Sequence, residues 1–227
     1  MGYAILRTQK LKSMQSVRRS LKHSFREQET PNADPTRTPE NTHIGANTSE
    51  EAIEKIKARL PEKIRKNGVL AIEYLVTASP DDLHAKSRKE QDAYFSDAKK
   101  WLEEKHGAEN VVYAGIHRDE TTPHMYAYVV PIDSKGKLNC RAFLGGAKAL
   151  SEMQTDFADR VGIKHKLERG IEGSRAKHSQ KWLKLLIFAF TGPKSPKTLN
   201  QGSDKRKRLL FHSDTLCIIL KTSSFFC

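Results

Sequence analysis

A chain of 227 residues, 37% hydrophobic and 30% charged, has enough apolar matter for one core and an appendage. No apolar run approaches the roughly 20 residues of a membrane-spanning helix, and Met1 to Lys12 lacks a signal-peptide core, so a cytoplasmic protein without a membrane span is expected. Three widely spaced cysteines (Cys140, Cys217, Cys227) argue against a disulfide framework and against a cysteine-based zinc site.

The net charge of +13 is concentrated at the two ends. Residues 1–26 hold seven Lys/Arg and no acid, and residues 181–227 hold nine against Asp204 and Asp214; the body between is nearly neutral. Basic ends on a neutral body imply a polyanionic partner, nucleic acid foremost, because neutralised phosphates release counterions.

In chain order, Tyr3 to Arg7 is expected to be a short strand, and residues 14–28 a basic helix or extended arm. Residues 30–49, with Pro31, Pro35 and Pro39, form a loop that cannot be helical. A helix opens at Ser49, capped by Thr48 or Ser49, and runs to about Arg65 with a break near Pro61. Val69 to Thr77 alternates as a strand, and Asp81-Asp82 starts helical territory. Arg88 to His106 is an amphipathic helix, with Tyr94, Phe95, Ala98, Trp101 and Leu102 at three- and four-residue spacing. Val111 to Ile116 and Met125 to Val130 are apolar, β-branched and aromatic runs that make a hairpin, and a further helix spans Ala147 to Val161. The order of elements predicts an α+β fold, a mainly antiparallel β-sheet flanked by helices. Residues 181–227 show no sustained period and are expected to form a basic, poorly ordered tail.

The hairpin carries the chemistry. His117 ends its first strand and His124 opens the second, with Arg118-Asp119-Glu120-Thr121-Thr122-Pro123 between them. Histidines at the lips of a hairpin reach one point, and with Glu120 they form a two-imidazole, one-carboxylate set suited to a divalent metal. Spacing alone leaves a pair of hydrogen-bonded structural histidines as the alternative. Alternation puts His124, Tyr126 and Tyr128 on one face. His84, His106, His165 and His212 are read as surface residues, and Tyr3, Tyr74, Tyr94 and Tyr113 as core.

Three blocks in order resemble the Mob/Pre family of plasmid mobilisation and recombination proteins, the MobV-type relaxases. Leu21-Lys22-His23-Ser24-Phe25-Arg26-Glu27 is similar to its His-x-x-Arg block, and Pro39-Glu40-Asn41-Thr42-His43 to its Asn-containing block. His117 to Pro131 is similar to its His-x-Asp-Glu-x-x-Pro-His-Met-His block, with Tyr126 standing where the family has a third histidine. Leu167-Glu168-Arg169-Gly170 and Ala176-Lys177-His178 resemble the end of its catalytic domain, so the likeness spans residues 1–180.

The resemblance implies a relaxase fold of the His-hydrophobic-His type, with a metal on the central strands and single-strand nicking of DNA at a plasmid or mobile-element origin. It implies His23 as the nucleophile, forming a covalent 5′ adduct, with Glu120 holding its proton or acting as general base. Arg26, three residues on from His23, is placed to pair a phosphate oxygen, an ordinary surface arginine being the alternative. His117, His124 and Glu120 would hold the ion, manganese first, with zinc or magnesium as alternatives; position 126 is a ligand in the family, but neutral phenol is a poor one. Arg7, Arg18, Arg19, Lys22, Asn41 and His43 would contact DNA. Full-length relatives continue into helices used in dimerisation. A second reading is a truncated or decayed member that only binds DNA, motivated by Tyr126 and the atypical tail.

Overall fold

The computed structural model describes residues 2–172. Strands β1 (Gly2–Leu11), β2 (Thr42–Ile44), β3 (Ala71–Ala78), β4 (Val111–His117), β5 (His124–Val129) and β6 (Leu167–Arg169) form one sheet in the order β2-β4-β5-β3-β1-β6. Every neighbouring pair is antiparallel except β1–β6, which is parallel. The helices are α1 (Met14–Ser24), α2 (Ser49–Arg59), α3 (Pro80–His84), α4 (Arg88–His106), α5 (Cys140–Phe143) and α6 (Ala147–Phe157). None of the described helices is long and apolar enough to cross a membrane.

Strand alternation sends side chains to both faces, and each face has its own core. On one, Ile72, Tyr74 and Val76 of β3 and Met125, Ala127 and Val129 of β5 pack with Tyr94, Phe95, Ala98, Trp101 and Leu102 of α4 and Met153 and Phe157 of α6. On the other, Tyr113 of β4 and Tyr128 of β5 pack with Val17 and Leu21 of α1 and Ala52, Ile53 and Ile56 of α2. Side chains cap the N-termini of α1, α2, α4 and α5. Ser87 Oγ accepts from the Glu90 amide while Glu90 returns a bond to the Ser87 amide, a capping box that starts α4; Ser13 and Ser16 do the same for α1.

The expected elements are present with shifted ends. β1 is longer than Tyr3 to Arg7, α2 stops at Arg59, and α6 ends at Phe157, followed by one wide turn over Ala158–Gly162. β2 interrupts the expected loop, and α5 and β6 are additional elements. Tyr3 is 37% exposed, so it is not core. His106, read as a surface residue, is 5% exposed, with Nε2 2.8 Å from the Tyr74 hydroxyl. His84 is exposed, whereas His165 is half-buried beside Asp97. The tail over residues 181–227, His212, and the Ala176-Lys177-His178 echo lie outside the described residues.

Candidate metal and nucleophile site

β4 and β5 run side by side with His117 opposite His124, and their rings lie 5.1 Å apart. Both face the side covered by α1, together with Tyr126, whose ring is 5.2 Å from His117 and 5.1 Å from His124. One ligand atom each from His117, Glu120 and His124 lies within 4.8 Å of the others.

Hydrogen bonds to carbonyls decide which ring nitrogens are free. His117 Nε2 is 2.8 Å from the Ser24 carbonyl and His124 Nδ1 is 2.9 Å from the Thr122 carbonyl. A carbonyl only accepts, so both nitrogens carry the proton and donate. The lone pairs of His117 Nδ1 and His124 Nε2 therefore remain, buried and without any hydrogen-bond partner. A buried polar atom left unpaired costs about 1–3 kcal/mol, and two of them beside a carboxylate fit a cation. Backbone carbonyls that fix the tautomer and orientation are the usual support of metal-bound histidine. Burial lowers both pKa values, so neither imidazole is charged near neutral pH.

α1 delivers His23 to this face, 6.3 Å from the His117 ring and 5.8 Å from the Tyr126 ring. Burial, then the Arg26 charge, lowers the His23 pKa, leaving a neutral imidazole with a lone pair. The helix closes in a Schellman motif: the Glu27 amide bonds the Lys22 carbonyl and the Arg26 amide bonds that of His23. The left-handed position belongs to Arg26, with φ of 56°. Glycine is the usual occupant. The Ser24 carbonyl, left over at the helix end, is the one that accepts from His117.

Arg26 explains its own presence there. Its Nε and Nη2 bond both oxygens of Asp119 at 2.9 and 2.6 Å, and Nη2 also reaches Glu120 Oε1 at 2.8 Å. The guanidinium is thus occupied by carboxylates, where the sequence reading had it on a phosphate. Asp119 is buried and also accepts from Thr38 Oγ1 and from Asn41 Nδ2 at 2.7 Å. Burial opposes its ionisation, but the Arg26 and Asn41 bonds outweigh that and hold its pKa well below the ordinary carboxylate value. Glu120 is held from both sides, by Arg26 and by Asn32 Nδ2 at 2.5 Å.

The sequence profile described as plasmid recombination enzyme matches residues 1–182. The chain belongs to this plasmid recombination enzyme family. A 65 kDa protein of Zymomonas mobilis is 34% identical over 188 residues, 79% of this chain and 32% of that one. A plasmid recombination enzyme type 3 of Mammaliicoccus lentus is 33% identical over 193 residues, 79% of this chain and 46% of that one. The chain therefore spans about a third to a half of these curated relatives. Among solved structures, the Mn-bound MobM relaxase domain on plasmid pMV158 oriT DNA superposes with a TM-score of 0.70 at 27% identity, covering 82% of this chain and 99% of that one. The α+β relaxase fold expected from the sequence is the fold observed.

Within this family frame, the structure gathers His23, Arg26, His117, Glu120, His124 and Tyr126 at one place. Arg7, Arg18 and Arg19 are exposed and Lys22 half-buried; Arg18 sits 3.9 Å from Glu50. Asn41, expected to touch DNA, bridges Asp119 and the Arg118 amide instead. His43 stacks on Phe25 at 4.8 Å and bonds the Tyr113 hydroxyl at 2.7 Å. The sequence reading missed Asp119 and Asn32 as holders of Arg26 and Glu120. For Asp119 a signal existed in its place beside Glu120; for Asn32, in a long loop, there was none.

Proposed function

We propose that the chain is the relaxase portion of a plasmid mobilisation or recombination protein, which binds origin DNA and cuts one strand by transesterification. The observation that carries this is the pair of buried, unpartnered lone pairs on His117 Nδ1 and His124 Nε2, beside Glu120 and below His23. Residues 1–180 form the catalytic and DNA-binding part in this reading, with residues 181–227 as a basic tail.

His117, His124 and Glu120 would hold the divalent ion, manganese by analogy with the Mn-bound relaxase structures, and Tyr126 would border it. When bound, the ion polarises the scissile phosphate and offsets charge developing on it. The free lone pair of neutral His23 attacks phosphorus, forming an N–P bond as the bond to the leaving 3′ oxygen breaks. The attacking ring sheds its other proton towards Glu120 or solvent, and the leaving oxygen takes one up. Arg26 holds Glu120 and Asp119 in place, so it acts through them. Arg7, Arg18, Arg19 and Lys22 supply phosphate contacts, with His43 stacked at the rim of the same face.

The test is incubation with supercoiled plasmid carrying the cognate origin and Mn²⁺, then denaturing analysis of wild type beside His23→Ala. The expected result is an acid-labile protein–DNA adduct that chelator and the substitution both abolish. Nicking without an adduct would instead indicate hydrolysis by water. Tyr126 at a ligand position favours one second reading, a member that binds DNA without cutting; intact binding with neither nick nor adduct would establish it.

A further inference from the structure

Beneath α1 lies a polar cluster that the proposed chemistry does not use. The Tyr128 hydroxyl is fully buried, 2.7 Å from Ser20 Oγ and 2.8 Å from Ser24 Oγ, with Glu73 Oε2 3.3 Å away. Ser20 also donates directly to Glu73. Ser20 and Ser24 are four residues apart, one turn of the same helix face. One phenol therefore grips the last turn of α1 from the sheet. That turn bears two things the site depends on: the His23 ring, and the Ser24 carbonyl that receives the His117 Nε2 proton. Tyr128 shares β5 and its face with His124 and Tyr126, so nucleophile helix and ligand strand are tied by one side chain.

A purely structural role is poorly suited to this arrangement. Apolar side chains in this core would hold the helix without the desolvation cost of a buried carboxyl and phenol. Hydrogen bonds do what apolar contact does not: they fix the height and rotation of α1 to a few tenths of an ångström, the precision a supported site needs. We infer that Tyr128, with Ser24 and Glu73, is a positioning residue that sets His23 and the His117 tautomer against the metal position. This rests on the relaxase reading for its catalytic consequence, but its effect on metal affinity stands apart from it.

The experiment compares the wild-type 227-residue chain, Tyr128→Phe and Ser24→Ala by Mn²⁺ titration calorimetry and by kcat and KM on an origin oligonucleotide. Ser24→Ala keeps the phenol and removes one bond, so it serves where Tyr128→Phe fails to fold. Outer supports of metal ligands are worth about 10- to 100-fold in affinity or activity. The expected result is a loss of ~10-fold in Mn²⁺ affinity and in kcat, with KM for the oligonucleotide unchanged. Glu73→Gln, which still accepts from Ser20, should restore most of what Glu73→Ala loses. Folded variants with wild-type Mn²⁺ affinity and kcat, and only a lower Tm, would overturn the inference. A wild type that binds Mn²⁺ but forms no adduct overturns the relaxase reading instead, and the affinity comparison still decides the role of Tyr128.

Discussion

Arg26 holds a backbone conformation that a side chain makes costly, and its side chain is the reason. A left-handed non-glycine residue costs roughly 1–2 kcal/mol, while breaking a buried, bidentate carboxylate pair costs about 3–5 kcal/mol. The pair wins, because its side chains are 9% and 0% exposed and solvent screens little of it. Two substitutions separate these effects. Arg26→Ala should destabilise by about 3–5 kcal/mol, since Asp119 is left buried and underpaired. Arg26→Gly loses the same pair but relieves the backbone, so it should be about 1 kcal/mol more stable than Arg26→Ala. Urea unfolding of the three proteins measures both differences. Equal midpoints for Ala and Gly would mean that the left-handed turn carries no strain.

Among the elements, legibility followed how locally each is specified. α4 was read with its observed ends because its stripe runs through 19 residues and its capping box lies in its own first turn. Ser87→Ala should therefore cost about 1 kcal/mol, a drop in Tm measurable by calorimetry without loss of Mn²⁺ binding; an unchanged Tm would mean the box contributes nothing. β2 and β6 are three residues each and exist through their partners β4 and β1, so no period could announce them. β4 shows both cases. Its β-branched and aromatic run was plain, but the need for Gly115 was not: a Cβ there would collide with the Tyr113 hydroxyl, which bonds His43. The site divides likewise. His117, Glu120 and His124 sit within eight residues of sequence, whereas the Asp119 shell draws Thr38 and Asn41 from 81 and 78 residues away. The buried Tyr128–Ser24–Glu73 cluster is equally non-local, although alternation had already set Tyr128 on the correct face.

For the whole molecule, the buried histidines make stability depend on pH in one direction. His106 ends α4, where the helix dipole favours a positive imidazole by about 0.3–2 kcal/mol. Burial, seconded by Lys105, overrides it and takes the pKa from 6.5 down to about 4. The unfolded chain then binds a proton at His106 that the folded one refuses, between those two values. Stability is thus full above about pH 6.5 and falls as pH drops to about 4, by about 3 kcal/mol at most. His117 acts in the same sense in metal-free protein, its pKa also lowered by burial. Asp119 adds to the loss further down: its depressed pKa stabilises above the ordinary carboxylate value and that contribution vanishes as pH falls below it. Metal-free protein should show a flat Tm from pH 8 to 7, a decline beginning near 6.5, and a steeper one below 4. His106→Gln retains a hydrogen-bonding partner for Tyr74 without a proton to gain, so it should make the decline between pH 6.5 and 4 shallower, leaving the share due to His117, and leave the lower limb unchanged. A variant whose Tm tracks wild type across that window would show that His106 takes up its proton in the folded state after all.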